Sequence, residues 1–231
     1  MCGRYSNTRT RSDDLQAKMA ELLGVSQPES DHGFERFNIA PTQEAVAAVE
    51  DEGARRIETL RWGLVPHWVT EAKPRFPMIN ARAETILERP AYRELVQQAR
   101  HRCLVLADGW YEWQRPEDPK QPRKPVHFSL PGGEPFCFAG LHTSGTFTIV
   151  TCEANDLSRP IHDRMPVVLA GAAGWETWLD PALDGPAARE LLTPLPSDRL
   201  SVRPANPFVN SAQNEGPDCL VAPAEQVAFE Y

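Results

Sequence analysis

The chain has 231 residues, 41% of them hydrophobic and 24% charged, with a formal net charge of −8, the make-up of a globular protein long enough to fill one core. That acidic balance excludes a general nucleic-acid coat and leaves room only for a local, arginine-lined cleft. No apolar run approaches the roughly 20 residues that cross a bilayer, and the start of the chain lacks a signal-peptide apolar core, so a cytoplasmic protein is expected.

Five cysteines, Cys2, Cys103, Cys137, Cys152 and Cys219, are an odd number with no C-x-x-C pair, which argues against a disulfide framework and a zinc knuckle. No metal and no cofactor are expected. Four of them lie in apolar surroundings, as packing cysteines do. Cys2 differs by position. Removal of Met1 would leave it two nucleophiles, an α-amine of reference pKa about 7.7–8.0 and a thiol of about 8.5. Such an aminothiol condenses with an aldehyde to an imine, and the thiol then closes a thiazolidine. A cysteine placed by chance before a turn at Gly3 is the other reading of this stretch alone.

In chain order, residues 2–6 predict a short strand. Ser12-Asp13-Asp14 reads as the cap of a helix whose apolar residues Leu15, Met19, Leu22 and Leu23 recur at helical spacing, with Gly24 as its stop. Residues 26–44, with Pro28, Gly33 and Pro41, predict loop. Strands are predicted at 45–50 and 55–62, joined by a hairpin turn at Asp51-Glu52-Gly53. A proline-bent loop from Trp62 to Trp68 follows. Residues 78–86 alternate: extended, they put Asn80, Arg82 and Glu84 on one face and Ile79, Ala81 and Ala83 on the other.

A helix is predicted over 90–99 with Pro90 at its start. A buried strand over 102–107 then leads through Asp108-Gly109 into Trp110-Tyr111-Glu112-Trp113-Gln114. The charged, proline-containing stretch 115–125 predicts an exposed loop. Further strands are predicted at 126–130, 135–140, 146–152 and 167–170, and short helices at 174–180 and 186–192. Pro204, Pro207 and Pro217 keep the tail from Leu200 free of long helices. Many short strands and few helices, not in βαβ alternation, predict an α+β chain. The expected architecture is a single domain over 1–231, its mixed, mostly antiparallel strands forming a curved or barrel-like sheet core with a few flanking helices.

Several residues in this frame suit chemistry. Glu112 shares a strand face with Trp110, while Tyr111 and Trp113 take the other. Desolvation beside indole rings raises a carboxyl's pKa toward neutrality, as a general acid–base needs; a glutamate ion-paired at a strand end is the alternative. His162, in a loop bounded by Pro160 and Pro166, suits proton transfer, whereas His32, His67, His101, His127 and His142 read as structural or exposed. In an extended segment Asp163 would face away from His162, so no triad is expected. Arg164 would share the face of His162, where a phosphate can bind it. Asn80 and Arg82 offer an oxyanion donor and a phosphate clamp, or a plain solvated face. Trp62, Trp68 and Pro41 offer platforms for unstacked bases, or core packing.

Six stretches carry a resemblance: MCGRY at 1–5, FNIAPTQ at 37–43, RWGLVPHW at 61–68, INARAET at 79–85, RCLVLADGWYEW at 102–113 and IHDRMPVVL at 161–169. In this order, and spread over most of the chain, they resemble the SRAP family, the SOS response-associated peptidase family of abasic-site processing proteins. The resemblance implies that the mature N-terminal cysteine attacks the ring-opened aldehyde of an abasic site in single-stranded DNA. The product is a thiazolidine cross-link that shields the lesion. On this reading Cys2 is the nucleophile. Glu112 is the general acid–base for ring opening and imine formation, and a candidate to assist methionine removal. His162 transfers protons at the opened sugar and supports reversal, and Asn80 positions or polarises the reacting group. Arg4, Arg82 and Arg164 fall where the family contacts phosphates, and Trp68 and Pro41 where it holds the DNA apart.

The implied partner is single-stranded DNA carrying abasic sites, and a monomer is expected. A retained Met1 blocks the amine, so its removal is expected, by a host aminopeptidase or by the protein itself. Three rivals stand beside this reading. N-terminal-nucleophile glutamine amidotransferases also begin Met-Cys-Gly and use the thiol, but their HRGPD and NGEIY-type stretches are absent here. The others are a peptidase acting on other proteins and a non-covalent single-stranded DNA binder, the last disfavoured by the acidic charge.

Overall fold

A computed structural model describes residues 2–8, 35–51, 53–69 and 77–222. In β3 (Glu44–Asp51) and β4 (Ala54–Trp62) the strand-forming runs pair antiparallel, in register from Glu44 opposite Arg61 to Asp51 opposite Ala54. Gly53 takes φ +77° in the connecting turn, a left-handed conformation that only glycine adopts at little cost. β3 also pairs β6 (Arg102–Ala107), β6 pairs β9 (Phe136–Thr143), and β9 turns back into β10 (Thr146–Glu153), all antiparallel. β10 then meets β4 in parallel through Thr146 and Phe147. The sheet thereby closes on itself as a ring of β4, β3, β6, β9 and β10.

Three short strands extend it. β5 (Asn80–Arg82) runs parallel to β10, and β11 (Arg164–Pro166) and β12 (Val168–Leu169) run antiparallel to β10 and β9. Trp62, Phe138, Phe147 and Ile149 are fully covered in the resulting core.

A second sheet has the order β13 (Ser201–Pro204), β8 (Lys124–Ser129), β7 (Gly109–Gln114), β1 (Tyr5–Asn7) and β2 (Arg36–Ile39), all antiparallel. Its inner face packs on the ring. Tyr5 meets Trp62 edge-on at 5.2 Å and Phe138 at 5.6 Å, while Trp110 stacks on Phe128 at 4.9 Å, contacts worth about 0.5–1.5 kcal/mol each beyond their buried area. Tyr111 and Trp113 point the other way, as their alternation with Trp110 and Glu112 predicts, and pack with Ala205, Val209 and Cys219 of the C-terminal segment.

Three α-helices flank the sheets among the described residues: α1 (Pro90–Gln97), α2 (Ala172–Leu179) and α3 (Gly185–Glu190). Arg102, fully buried at the head of β6, ties them down. Its Nη1 donates to Val96 O and Leu183 O, and its Nη2 to Asp180 O. Carbonyls left open near helix ends thus bind two of the three guanidinium nitrogens in an apolar setting.

The expected α+β class, with mixed, mostly antiparallel strands in a curved sheet, holds. The predicted helix at 12–23 lies outside the described residues. The loop predicted over 26–44 contains β2, and β11 and β13 are likewise strands that residue pattern does not announce. Each is three or four residues long; β2 and β13 are held by partners distant in sequence, and β11 by β10 across the turn at 156–161. In β2, for example, the Asn38 N–H donates to Glu215 Oε1 at 3.1 Å. So short a run carries no period to read.

Candidate active site

The register of β1 on β7 brings the chain start to Glu112. Tyr5 pairs Trp110, Ser6 pairs Gly109, and the Tyr111 N–H donates to Arg4 O at 2.9 Å. Continuing that register puts Gly3 opposite Glu112, with Cys2 one residue further along. From the other sheet, the edge strand β5 reaches across: Asn80 Nδ2 donates to Cys2 O at 2.9 Å. Asn80 is itself held in place, pairing Ile149 of β10 and accepting from the Tyr92 hydroxyl at 3.1 Å through its own carbonyl. Its side-chain Oδ1 is buried with no donor among the described residues. His162 and Asp163 follow the turn at 156–161 that joins β10 to β11. The site therefore lies at the seam between the two sheets.

Burial sets the chemistry. Cys2 is 0% exposed, and burial first, then the Glu112 carboxylate, push its thiol far above the ordinary value. The thiol is a neutral S–H at pH 7, which corrects the expectation of a reactive thiolate fraction there. Glu112, 5% exposed, is pushed up to about 8, chiefly by burial and in part by the charge of Asp163. At neutral pH it is a protonated acid. Burial also holds His162 below its ordinary value, so its ring is neutral there.

The surroundings of His162 differ from those expected. Its Nδ1 accepts from the Arg164 N–H at 3.0 Å and lies 2.9 Å from Asp163 Oδ1. The chain bends at this point instead of extending, so Asp163 reaches back to the imidazole and the face argument that separated them fails. Arg164 is also placed differently. It is buried in β11, its Nη1 donating to Glu84 Oε1 at 2.8 Å and its Nη2 to Thr151 O at 2.7 Å.

Arg4 is likewise engaged. Its Nη1 donates to Asn38 Oδ1 at 2.7 Å and Val209 O at 2.6 Å, and its guanidinium carbon lies 5.7 Å from the Trp113 ring centre. Arg82 is exposed at the end of β5, and Pro41 is half-buried in the turn before β3. The tryptophans divide. Trp62 is fully buried, its Nε1 donating to Ile79 O at 2.9 Å, whereas Trp68 is 51% exposed with His67 edge-on at 4.9 Å.

Sequence reasoning weighed Asp163 and set it aside on the face argument, and it passed over Arg115, whose charge helps lower the His162 pKa. It also missed Asn38, which accepts from Arg4 and donates to the carbonyls of Val209, Ser211 and Asn214. Only its place within FNIAPTQ pointed to Asn38. Among the described residues there is no group of three metal-ligating side chains, and no helix is long and apolar enough to cross a membrane.

An α+β fold with a clamped cysteine beside a protonated glutamate and a neutral histidine defines a cysteine-centred candidate enzyme. The chain belongs to the SOS response associated peptidase (SRAP) family, whose model matches residues 1–212. It is 36% identical to the abasic site processing protein YoqW of Bacillus subtilis over 233 residues, covering 95% of this chain and 99% of that one. It is 32% identical to the abasic site processing protein YedK of Escherichia coli over 229 residues, covering 95% of this chain and 99% of that one. Among solved structures, a Bacteroides thetaiotaomicron protein shares the fold at TM-score 0.78 and 22% identity, covering 96% of this chain and 100% of that one. A phage-related protein from Bordetella bronchiseptica superposes at TM-score 0.65 with 31% identity, covering 89% and 94%.

Proposed function

We propose that this protein processes abasic sites in single-stranded DNA by forming a thiazolidine cross-link through Cys2 once Met1 has been removed. The observation that carries this reading is the setting of Cys2: a neutral, buried thiol held through its carbonyl by Asn80 and next to a glutamate protonated at neutral pH. Such a thiol is a poor first nucleophile. An α-amine of ordinary pKa about 7.7–8.0 on the same residue is not. The order of events follows from that difference.

The closed sugar opens first. The C1′–O4′ bond breaks, its electron pair goes to O4′ with a proton from Glu112, and the C1′ hydroxyl gives its proton to His162. The Cys2 amine then adds to the aldehyde carbon. Of its two protons one returns to the Glu112 carboxylate and the other passes to the carbinolamine oxygen, which leaves as water with the proton held by His162. Sγ finally adds to the imine carbon while its proton passes to nitrogen. Aldehyde and aminothiol become a thiazolidine and one water, so a thiol that stays protonated until the last step suits the sequence. The buried Oδ1 of Asn80, which has no donor among the described residues, offers an acceptor to the amine or to the sugar hydroxyl. Exposed Arg82 is the proposed phosphate contact and Trp68, with Pro41, the proposed base platform. Arg4 and Arg164 are proposed to act through the residues they fix.

The abasic-site role of the named relatives supports this reading, as does membership of the family. The test incubates the protein, its N-terminus established by mass spectrometry, with single-stranded DNA carrying an abasic site. A heat-stable, borohydride-independent band on a denaturing gel, lost in Cys2→Ala, is expected. Protein that starts at Cys2 and forms no band would overturn the proposal. Glutamine hydrolysis in its place would favour the amidotransferase reading, in which the thiol attacks first.

A further inference from the structure

We propose that Asp163 is a positioning residue for His162, holding the imidazole with its proton on Nδ1 so that Nε2 is the basic nitrogen. The inference deepens the cross-linking reading and rests on it for the identity of the substrate. Two groups compete for one ring nitrogen: Nδ1 lies 3.0 Å from the Arg164 main-chain N and 2.9 Å from Asp163 Oδ1. A lone pair at Nδ1 accepts from Arg164 but faces the lone pairs of the carboxylate. A proton at Nδ1 is donated to Asp163 but meets the Arg164 N–H head-on. The two contacts therefore belong to two states of the ring.

In one state the proton is on Nε2, which can only donate. In the other the proton is on Nδ1, bonded to Asp163, and the Nε2 lone pair takes a proton from the C1′ hydroxyl. The imidazolium so formed keeps its Nδ1–H on Asp163 and later returns the Nε2 proton as water leaves. Only the second state transfers a proton both ways, and Asp163 favours it.

The main chain holds this bend. The His162 N–H donates to Ser158 O at 2.9 Å, and the Ala154 N–H donates to Asp163 O at 3.0 Å. The two side chains are thus brought together by backbone bonds on both sides of them. Asp163 is 87% exposed, so solvent screens its charge and it adds little as an ion pair. The charged groups acting on the ring are Asp163, which favours its cation, and Arg115 and the amino terminus, which oppose it, all secondary to burial. Glu112 nearby is neutral at pH 7, and the Arg164 guanidinium is bound to Glu84 at 2.8 Å. With the ring neutral, the carboxylate acts by choosing the tautomer more than by charging it.

Asp163→Asn tests this, because its amide N–H would donate to the Nδ1 lone pair and favour the donor-only state. Asp163→Glu keeps the acceptor. Nitrogen NMR of the His162 ring at pH 7.5 is expected to show Nδ1–H in the parent protein and Nε2–H in Asp163→Asn. The single-turnover cross-linking rate of Asp163→Asn is expected to fall about 10- to 100-fold, less than the roughly 10²–10⁴-fold of removing a general acid–base itself, because Asp163 acts through His162. Its basic limb should move along the pH axis, while affinity for DNA with a tetrahydrofuran abasic analogue should not fall. Asp163→Glu should recover part of the rate. An Nε2–H ring in the parent protein, or a rate and pH profile unchanged within about 2-fold in Asp163→Asn, would overturn the inference. If the parent protein forms no cross-link at all, the proposed function fails, and the ring-nitrogen signals still decide the role of Asp163.

Discussion

Glu112→Gln should make this protein more stable and less active, and the gain in stability should depend on pH. A carboxyl of ordinary value 4.5 that burial pushes up to about 8 holds its proton in the fold over a range where the unfolded chain releases it. The fold therefore binds the extra proton. Its stabilising effect is complete below pH 4.5 and is lost as the pH rises through 8. At 1.36 kcal/mol per pH unit, the interval from 4.5 to 7 removes about 3 kcal/mol, and the whole interval to 8 about 5 kcal/mol. Glutamine keeps the shape and does not titrate. Urea unfolding of both proteins from pH 4.5 to 8.5 should show near-equal stability at the acid end and a gap of about 3 kcal/mol in favour of Glu112→Gln at pH 7. For a chain of this length that is a Tm difference of roughly 6–12 °C. The same substitution should slow cross-linking about 100-fold or more while leaving DNA affinity in place. A stability gap that does not change with pH would refute the buried-acid reasoning.

Arg82→Ala and Arg164→Ala should separate an exterior arginine from an interior one. The first should leave stability within about 0.5 kcal/mol and lower DNA affinity and its salt dependence; the second, by orphaning Glu84 and the Thr151 carbonyl, should cost about 2 kcal/mol in urea unfolding. Trp68→Ala should weaken binding to single-stranded DNA by about 1–3 kcal/mol in a fluorescence titration with Tm unchanged. Gly109→Ala should destabilise by about 2 kcal/mol on thermal unfolding, because its Cβ would stand 2.2 Å from His127 Nε2, the atom 3.0 Å from Ser6 Oγ.

What could be read from residue order was what depends on period and on neighbours along the chain. Alternation placed Trp110 and Glu112 on one face of β7 and Tyr111 and Trp113 on the other, and the raised pKa of Glu112 followed from its aromatic flanks. The faces of β5 were also right for Asn80 and Arg82, although the strand ends at Arg82 and Glu84 sits in a 3-10 turn facing Arg164. What could not be read was which partner a polar side chain finds across the fold. Arg4 meets Val209 some 205 positions away, and Arg164 meets Glu84 across 80. Asp163 was wrongly set aside for a different reason: a bend of one residue reverses every statement about faces. The extended reading of 162–164 therefore failed at both of its residues.

The acidic charge of this chain bears on how it holds DNA. Of the three arginines assigned by resemblance to phosphates, Arg4 and Arg164 are bound to Asn38, Val209 O, Glu84 and Thr151 O inside the fold. Arg82 is exposed, and Arg115, also exposed, lies at the His162 side of the site. If these two supply the phosphate contacts, the slope of log affinity against log salt on single-stranded DNA should be about −1.4, at about −0.7 per contact. Raising salt from 50 to 200 mM should then weaken binding only about 7-fold. So few contacts give a short-lived non-covalent complex, and lasting protection of a lesion would have to come from the covalent bond. Fluorescence anisotropy with an uncleavable abasic analogue, read at several salt concentrations, tests the point. A slope of about −4 or steeper would mean that cations other than Arg82 and Arg115 carry the affinity, and the argument that the cross-link holds the DNA would lose its basis.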